Sequence, residues 1–205
     1  IDEWSYELWE LDPNPSHDPI YDIFRARGDG HYARGHFADA ISDYTNALAG
    51  CRNAKDLELM YLHRGVAYGE TGKWTDAIED YTEVLTRNGE RIDALINRGA
   101  AYLNCGDIDQ GLQDTQKAHD LDDPYSESHY LIHSNLADGY LKKGELDEAI
   151  KHCTEAIELE PAFREPYELR SKAYESKGPQ YRKLAETDKR KARKLERKEE
   201  GRGQP

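Results

Sequence analysis

The chain has 205 residues, 37% of them hydrophobic, and a formal net charge of −13. That length allows one or two ordinary domains, the apolar share is low for a compact globule, and no apolar run approaches the roughly 18 residues that a membrane-spanning helix needs. Residues 1–180 hold 18 Lys and Arg against 36 Asp and Glu, whereas 181–205 hold 10 against 5, so an acidic body and a basic tail face different electrostatic partners.

Residues 1–20 form an acidic aromatic arm. Trp4, Leu8 and Leu11 can share one helical face, and NPSHDP after them is an extended or turning linker. The arm reads as a cap or as a mobile segment that docks elsewhere. The chain starts at Ile1 with no basic and apolar leader, which fits a trimmed chain or a mature form whose leader was removed. Four stretches then restate one pattern: GHFADAISDYTNAL from Gly35, GKWTDAIEDYTEVL from Gly72, GDIDQGLQDTQKAHDLD from Gly106 and GELDEAIKHCTEAIELEP from Gly144. These glycines stand 37, 34 and 38 residues apart. The spacing is a unit of about 34 residues with about one helical turn added near Cys51 to Leu57 and near Asp123 to His129.

Before each glycine lies a second apolar segment: FRARGDGHYARG, YLHRGVAYGETG, LINRGAAYLNCG and HSNLADGYLKKG. Each unit is therefore predicted to be two helices joined at a glycine that tolerates a left-handed backbone. The predicted units are 21–54, 58–91, 92–125 and 130–163. PYELRSKAYESKG repeats the first-helix pattern with Tyr167, Ser171, Tyr174 and Gly178. The following segment keeps Tyr181, Leu184, Ala185, Ala192 and Leu195 as a narrow stripe, so 164–199 is predicted to be a degenerate fifth repeat with a basic capping helix, and 200–205 a flexible tail.

This pattern resembles the tetratricopeptide repeat. Gly28, Gly65, Gly99 and Ala137 supply a small residue on each first helix, three before His31, Tyr68, Tyr102 and Tyr140. The second helices supply Phe37, Trp74, Ile108 and Leu146, then Ala40, Ala77, Gly111 and Ala149, then Tyr44, Tyr81, Thr115 and Cys153, then Ala47, Val84, Ala118 and Ala156, and Pro161 closes the fourth unit. Small residues let helices approach while large ones fill the gaps. The resemblance spans Tyr21 to Phe163 and implies an all-α, right-handed superhelical solenoid of helix-turn-helix repeats. Gly111, Thr115 and Asp123 make the third unit the one expected to be least stable. By the same resemblance the WSYELWELDP segment reads as the remnant of an upstream repeat.

No catalytic residue, metal, cofactor or small-molecule substrate is expected. Cys51, Cys105 and Cys153 are odd in number and widely spaced, which is neither a disulfide framework nor a zinc pattern; they favour a reducing, cytoplasmic compartment, with a processed exported form as the alternative. Cys153 is expected in the core. His129 and His133 have the spacing of metal ligands on a helix, but no HExxH glutamate accompanies them, and His133 falls at a packing position. Gly28 and Gly30 are not followed by the lysine and hydroxyl residue of a phosphate loop.

The resemblance places function on the concave surface lined by first helices. Expected to point inward are Asp22, Arg25, Ala26 and Asp29, then Leu59, Leu62, His63 and Val66, then Asp93, Ile96, Asn97 and Ala100, then Leu131, Ser134, Asn135 and Asp138. The candidate groove is Leu59, Leu62, His63, Val66, Ile96, Asn97, Ala100, Asn135 and Asp138, with Leu62, Val66 and Ile96 accepting apolar side chains of a ligand. A co-chaperone-like clamp for a terminal EEVD-type carboxylate is disfavoured, because its lysine, asparagine and arginine positions read here mainly as aliphatic or acidic. Asn97 and Asn135 resemble instead the asparagines by which some family members grip peptide backbone, since a primary amide pairs with both donor and acceptor of a peptide unit. Arg27, Arg64, Arg98 and Arg170 recur at one repeat position, as do Asp43 and Asp80. Pairing between neighbouring helices is favoured over a guanidinium ladder for acidic ligands.

The expected function is a non-enzymatic protein-interaction scaffold that takes a peptide or protein segment with an apolar centre. The alternatives are a regulatory module of a larger enzyme or complex, and an electrostatic adaptor that contacts nucleic acid or membrane through the basic helix. The tail's simplest partner is the protein's own acidic body, and an acidic partner outside it is the alternative. No aromatic residue follows Tyr181, so the tail offers no base-stacking platform.

Overall fold

The computed structural model describes residues 19–51 and 53–202. The expectations for Trp4, Leu8 and Leu11 in the arm and for residues 203–205 lie outside them. Among the described residues there are ten α-helices and one 3-10 turn. The helices are α1 (Pro19–Ala33), α2 (Phe37–Gly50), α3 (Ala54–Glu70), α4 (Trp74–Arg87), α5 (Ile92–Cys105), α6 (Ile108–Leu121), α7 (His129–Lys143), α8 (Leu146–Leu159), α9 (Glu165–Lys177) and α10 (Arg182–Arg202). The chain forms two compact units, one ending at Ala101 and one starting at Tyr102, so the boundary falls inside α5.

The eighth helix, α8, runs over Leu146–Leu159 and follows α7 through one of four recurring glycine hairpins.

Gly35, Gly72, Gly106 and Gly144 have φ of 75°, 71°, 91° and 84°, a left-handed backbone that glycine adopts without a Cβ penalty. In the first hairpin Gly35 N–H donates to the Tyr32 carbonyl and His36 N–H to the His31 carbonyl, both at 2.9 Å, so two carbonyls left over at the end of α1 are satisfied. Lys73 to Tyr68, Asp107 to Tyr102 and Glu145 to Tyr140 repeat the longer bond at 2.9 Å. The two insertions are absorbed differently. The first falls where α3 starts, and α3 has 17 residues against 14 in α5; the second becomes the connection from Asp122 to Ser128, turned by a bond from Ser126 N–H to the Asp123 carbonyl. The flanking helices stay packed in both places.

The second helices bury the positions that recur in sequence. Ala40, Tyr44 and Ala47 are buried on α2, Ala77, Tyr81 and Val84 on α4, Thr115 and Ala118 on α6, and Ala149, Cys153 and Ala156 on α8. Small first-helix residues make this possible. A Cβ on Gly65 would stand 2.7 Å from Tyr81 Cε1, and one on Gly28 would stand 2.7 Å from Tyr44 Cε1. Each tyrosine ring thus lies close against a first-helix glycine, a burial that stabilises by roughly 1.5–3 kcal/mol.

On α10 the buried stripe is Ala185, Asp188, Ala192 and Leu195. Leu184, expected in that stripe, is 48% exposed. At about 100° of rotation per residue it lies one step off the face that Ala185 and Asp188 share. Asp188 occupies the stripe because Arg170 on α9 holds it with two bonds, 2.8 and 2.9 Å.

Candidate functional site

In the unit ending at Ala101, α3, α4 and the start of α5 close around a cluster of Leu62, Ala77, Tyr81, Val84 and Ala94. Leu62 is 8% exposed and Ile96 6%, so little of either side chain is open to a ligand. Helix packing consumes the surface they would have offered. Leu59, His63, Val66, Asn97 and Ala100 are half-buried on the same helices. His63 is engaged from within: its Nδ1 stands 3.2 Å from Asp29 Oδ1, which also accepts from Tyr44 Oη at 2.9 Å. In the unit starting at Tyr102, α7 carries Asn135 and Asp138, both half-buried. Asp138 accepts from Lys142 Nζ at 2.6 Å, and Ser134 is buried and donates to Glu165.

The recurring arginines are tied inward. Arg27 holds Asp43, Arg64 holds Asp80 and Arg170 holds Asp188, each through two guanidinium nitrogens. The bond to Asp80 raises the pKa of Arg64, and the bond to Asp188 does the same for Arg170. A further contact was missed in the sequence. Arg64 Nη1 donates to Thr45, Arg98 Nη1 to Thr82 and Arg170 Nη1 to Thr154, at 3.0, 3.1 and 3.0 Å. Each arginine therefore joins its own hairpin to the hairpin before it. The signal was the threonine that follows each recurring DY or HC pair.

Two family models match the chain, both described as tetratricopeptide repeat, over residues 62–127 and 130–163. The chain is a tetratricopeptide repeat protein. Similar folds are found in solved structures. One is a MamA protein, 24% identical, covering 91% of this chain and 97% of that one, with a TM-score of 0.65. Another is MamA from Desulfovibrio magneticus, 17% identical over 87% of this chain and 96% of that one, with a TM-score of 0.69. A tetratricopeptide repeat protein from Parabacteroides merdae is 24% identical over 91% of this chain and 68% of that one, with a TM-score of 0.68. No curated protein matches the sequence. As a repeat protein of this family the chain is a protein-interaction scaffold in general terms, and among its described residues no helix is long and apolar enough to cross a membrane.

The repeats serve as an alignment of the protein with itself, and one place departs from it. His133 stands where the other repeats have Phe24, Tyr61, Leu95 and Tyr167, and His119 where they have Leu48, Leu85 and Ile157. His152 takes the position of the paired Asp43 and Asp80, and Leu136 that of their arginines. His129, His133 and His152 are all buried. Their rings pack closely, with centroids 4.9 Å apart for His129 and His133 and 5.3 Å for His133 and His152. Burial, then His152, His129, His119 and Lys151 around it, pushes the His133 imidazole down to about 4, and burial also lowers His152. The sequence reading found His133 in the core but had no means of bringing His119 and His152 to it. Among the described residues three groups have the donor atoms to hold an ion: His119, His129 and His133; His133, His152 and Glu155; and His31, His36 and Asp39.

Proposed function

We propose that this protein is a non-enzymatic scaffold that holds an extended segment of a partner protein, with an apolar centre, on the first-helix face of the unit ending at Ala101. The supporting observation is that Asn97, half-buried on α5, shares its helix with half-buried Ala100, while Leu59 and Val66 are half-buried on α3. An amide there can bond the backbone of an extended chain, and the aliphatic groups can cover its side chains. Asn135 offers the same chemistry on α7 within its own unit. The test is capture of partners by the intact chain, followed by calorimetric titration of a captured segment. Asn97→Ala should weaken it by about 1 kcal/mol, the net worth of a neutral hydrogen bond or two. Ala100→Glu should weaken apolar-centred segments most, because it sets a carboxylate against them. Full affinity in both folded variants would move binding to another surface.

A second surface is favoured by α10, where Arg190, Arg193, Lys194, Arg197 and Lys198 are all exposed. Part of the helix is satisfied internally: Lys189 pairs with Glu175, and Glu196 with Arg164. The exposed cations fit an acidic partner, whose binding should fall steeply with salt.

A further inference from the structure

We propose that His133, His152 and Glu155 form a binding site for one divalent transition-metal ion of the zinc type. His133 Nδ1 lies 3.0 Å from His152 Nδ1 and 3.2 Å from Glu155 Oε2, and His152 Nδ1 lies 3.0 Å from the same oxygen. Ligand atoms about 2.0–2.1 Å from a tetrahedral ion stand roughly 3.3 Å from one another, so this triangle already has the size of one face of a coordination shell. Two imidazoles and a carboxylate suit zinc and its neighbours in the first transition row.

Hydrogen bonding alone leaves the cluster incomplete. One proton between the two Nδ1 atoms can satisfy that pair, but Glu155 Oε2 is buried and makes no hydrogen bond. A cation at the centre of the triangle gives all three atoms a partner. The internal repeats supply an independent reason. The positions of His119, His133 and His152 are apolar, aromatic or aspartate in the other repeats, so histidine has replaced three different kinds of packing residue in one place. His119 and His129 stand edge-on or tilted against the group, and His129 Nδ1 lies 3.1 Å from Asp122 Oδ2. Both rings pack against that of His133.

Zinc titration of the full chain after chelator treatment, followed by equilibrium dialysis and by thermal unfolding, tests the assignment. One equivalent should bind and raise the Tm, and cobalt(II) in its place should give the intense visible absorption of a tetrahedral site. Removing a direct ligand should cost more than the loss known for residues that merely support one, so His152→Ala and Glu155→Gln should each weaken binding by about 100-fold or more. Glu155→Gln keeps the side chain's volume and circular dichroism reports its fold, so a loss of binding there is not a loss of structure. His36→Ala, which breaks the other unit's cluster, should leave binding intact. The proposal is overturned by a folded chain that takes up no zinc, or by uptake that His152→Ala and Glu155→Gln leave unchanged. Binding lost in His119→Ala and His129→Ala but kept in Glu155→Gln would seat the ion on the other three histidines and overturn it equally.

Discussion

Replacing the arginine should cost far more at Arg64 than at Arg27, although both hold an aspartate in the same repeat position. Asp80 and Asp43 are each 3% exposed, so either carboxylate is buried once its partner is gone. The Arg64 side chain is 17% exposed and that of Arg27 is 56%, and His31 Nε2 stands 3.8 Å from Asp43 as a second group that can pair with that carboxylate. Arg64→Met keeps the stem that packs beside Tyr61 and Tyr68 but strands the Asp80 charge, a loss of about 3–5 kcal/mol for a buried pair broken on one side. Arg27→Met should cost about 1 kcal/mol, the value of a largely exposed pair. Adding Asp80→Asn to Arg64→Met removes the stranded charge and should restore most of the loss. Urea unfolding followed by circular dichroism measures these three variants beside the unaltered chain, with midpoints compared only where the slope is unchanged. Equal costs at Arg27 and Arg64, or no recovery from Asp80→Asn, would refute the reasoning, because the penalty would not come from a buried unpaired carboxylate.

Other substitutions probe the packing. Ala77→Leu adds methylenes at a fully buried contact and should cost about 1–3 kcal/mol in the same unfolding assay. Gly65→Ala places a methyl 2.7 Å from the Tyr81 ring and should lower the Tm, although alanine favours helix by about 1 kcal/mol. Leu62→Asp should act on folding and not on ligand choice, so the purified variant should show a lost or early unfolding transition. Thr45→Val removes the acceptor for Arg64 Nη1 and should cost about 1 kcal/mol, read as a shift in urea midpoint.

The hairpins were legible because a glycine at each left-handed turn and a small residue under each aromatic ring are local requirements that every repeat must meet. Gly35, Gly72, Gly106 and Gly144 announced the turns, and Gly65 before Tyr81 announced the close approach. The pairing of arginine with aspartate was legible for the same reason: Asp43 and Asp80 recur in identical DYT segments. Asp188 was not, since the segment around it keeps only a narrow stripe of the pattern and no DYT. The site residues were harder still. Helical period placed Leu62 and Ile96 on the right helices, but one turn of a first helix faces both its own hairpin and the next, and only packing decides which residues remain at the surface.

The histidine cluster was illegible for a different reason. Each of its members looks like an ordinary deviation when taken alone, and His129 with His133 lacks the glutamate that would complete a familiar motif. What distinguishes them is coincidence in space: residues 119, 133 and 152 occupy three different repeat positions on three helices, yet the donor atoms of His133 meet those of His119 on one side of the cluster and those of His152 and Glu155 in another group. In a repeat protein the expected residue at each position is printed in the neighbouring repeats, so several departures of one chemical kind that converge on one point are evidence of a local requirement other than packing. Apolar side chains at these positions would fill the same space without burying a carboxylate oxygen that makes no hydrogen bond. Retaining that oxygen is costly for a scaffold alone and is accounted for by a bound cation.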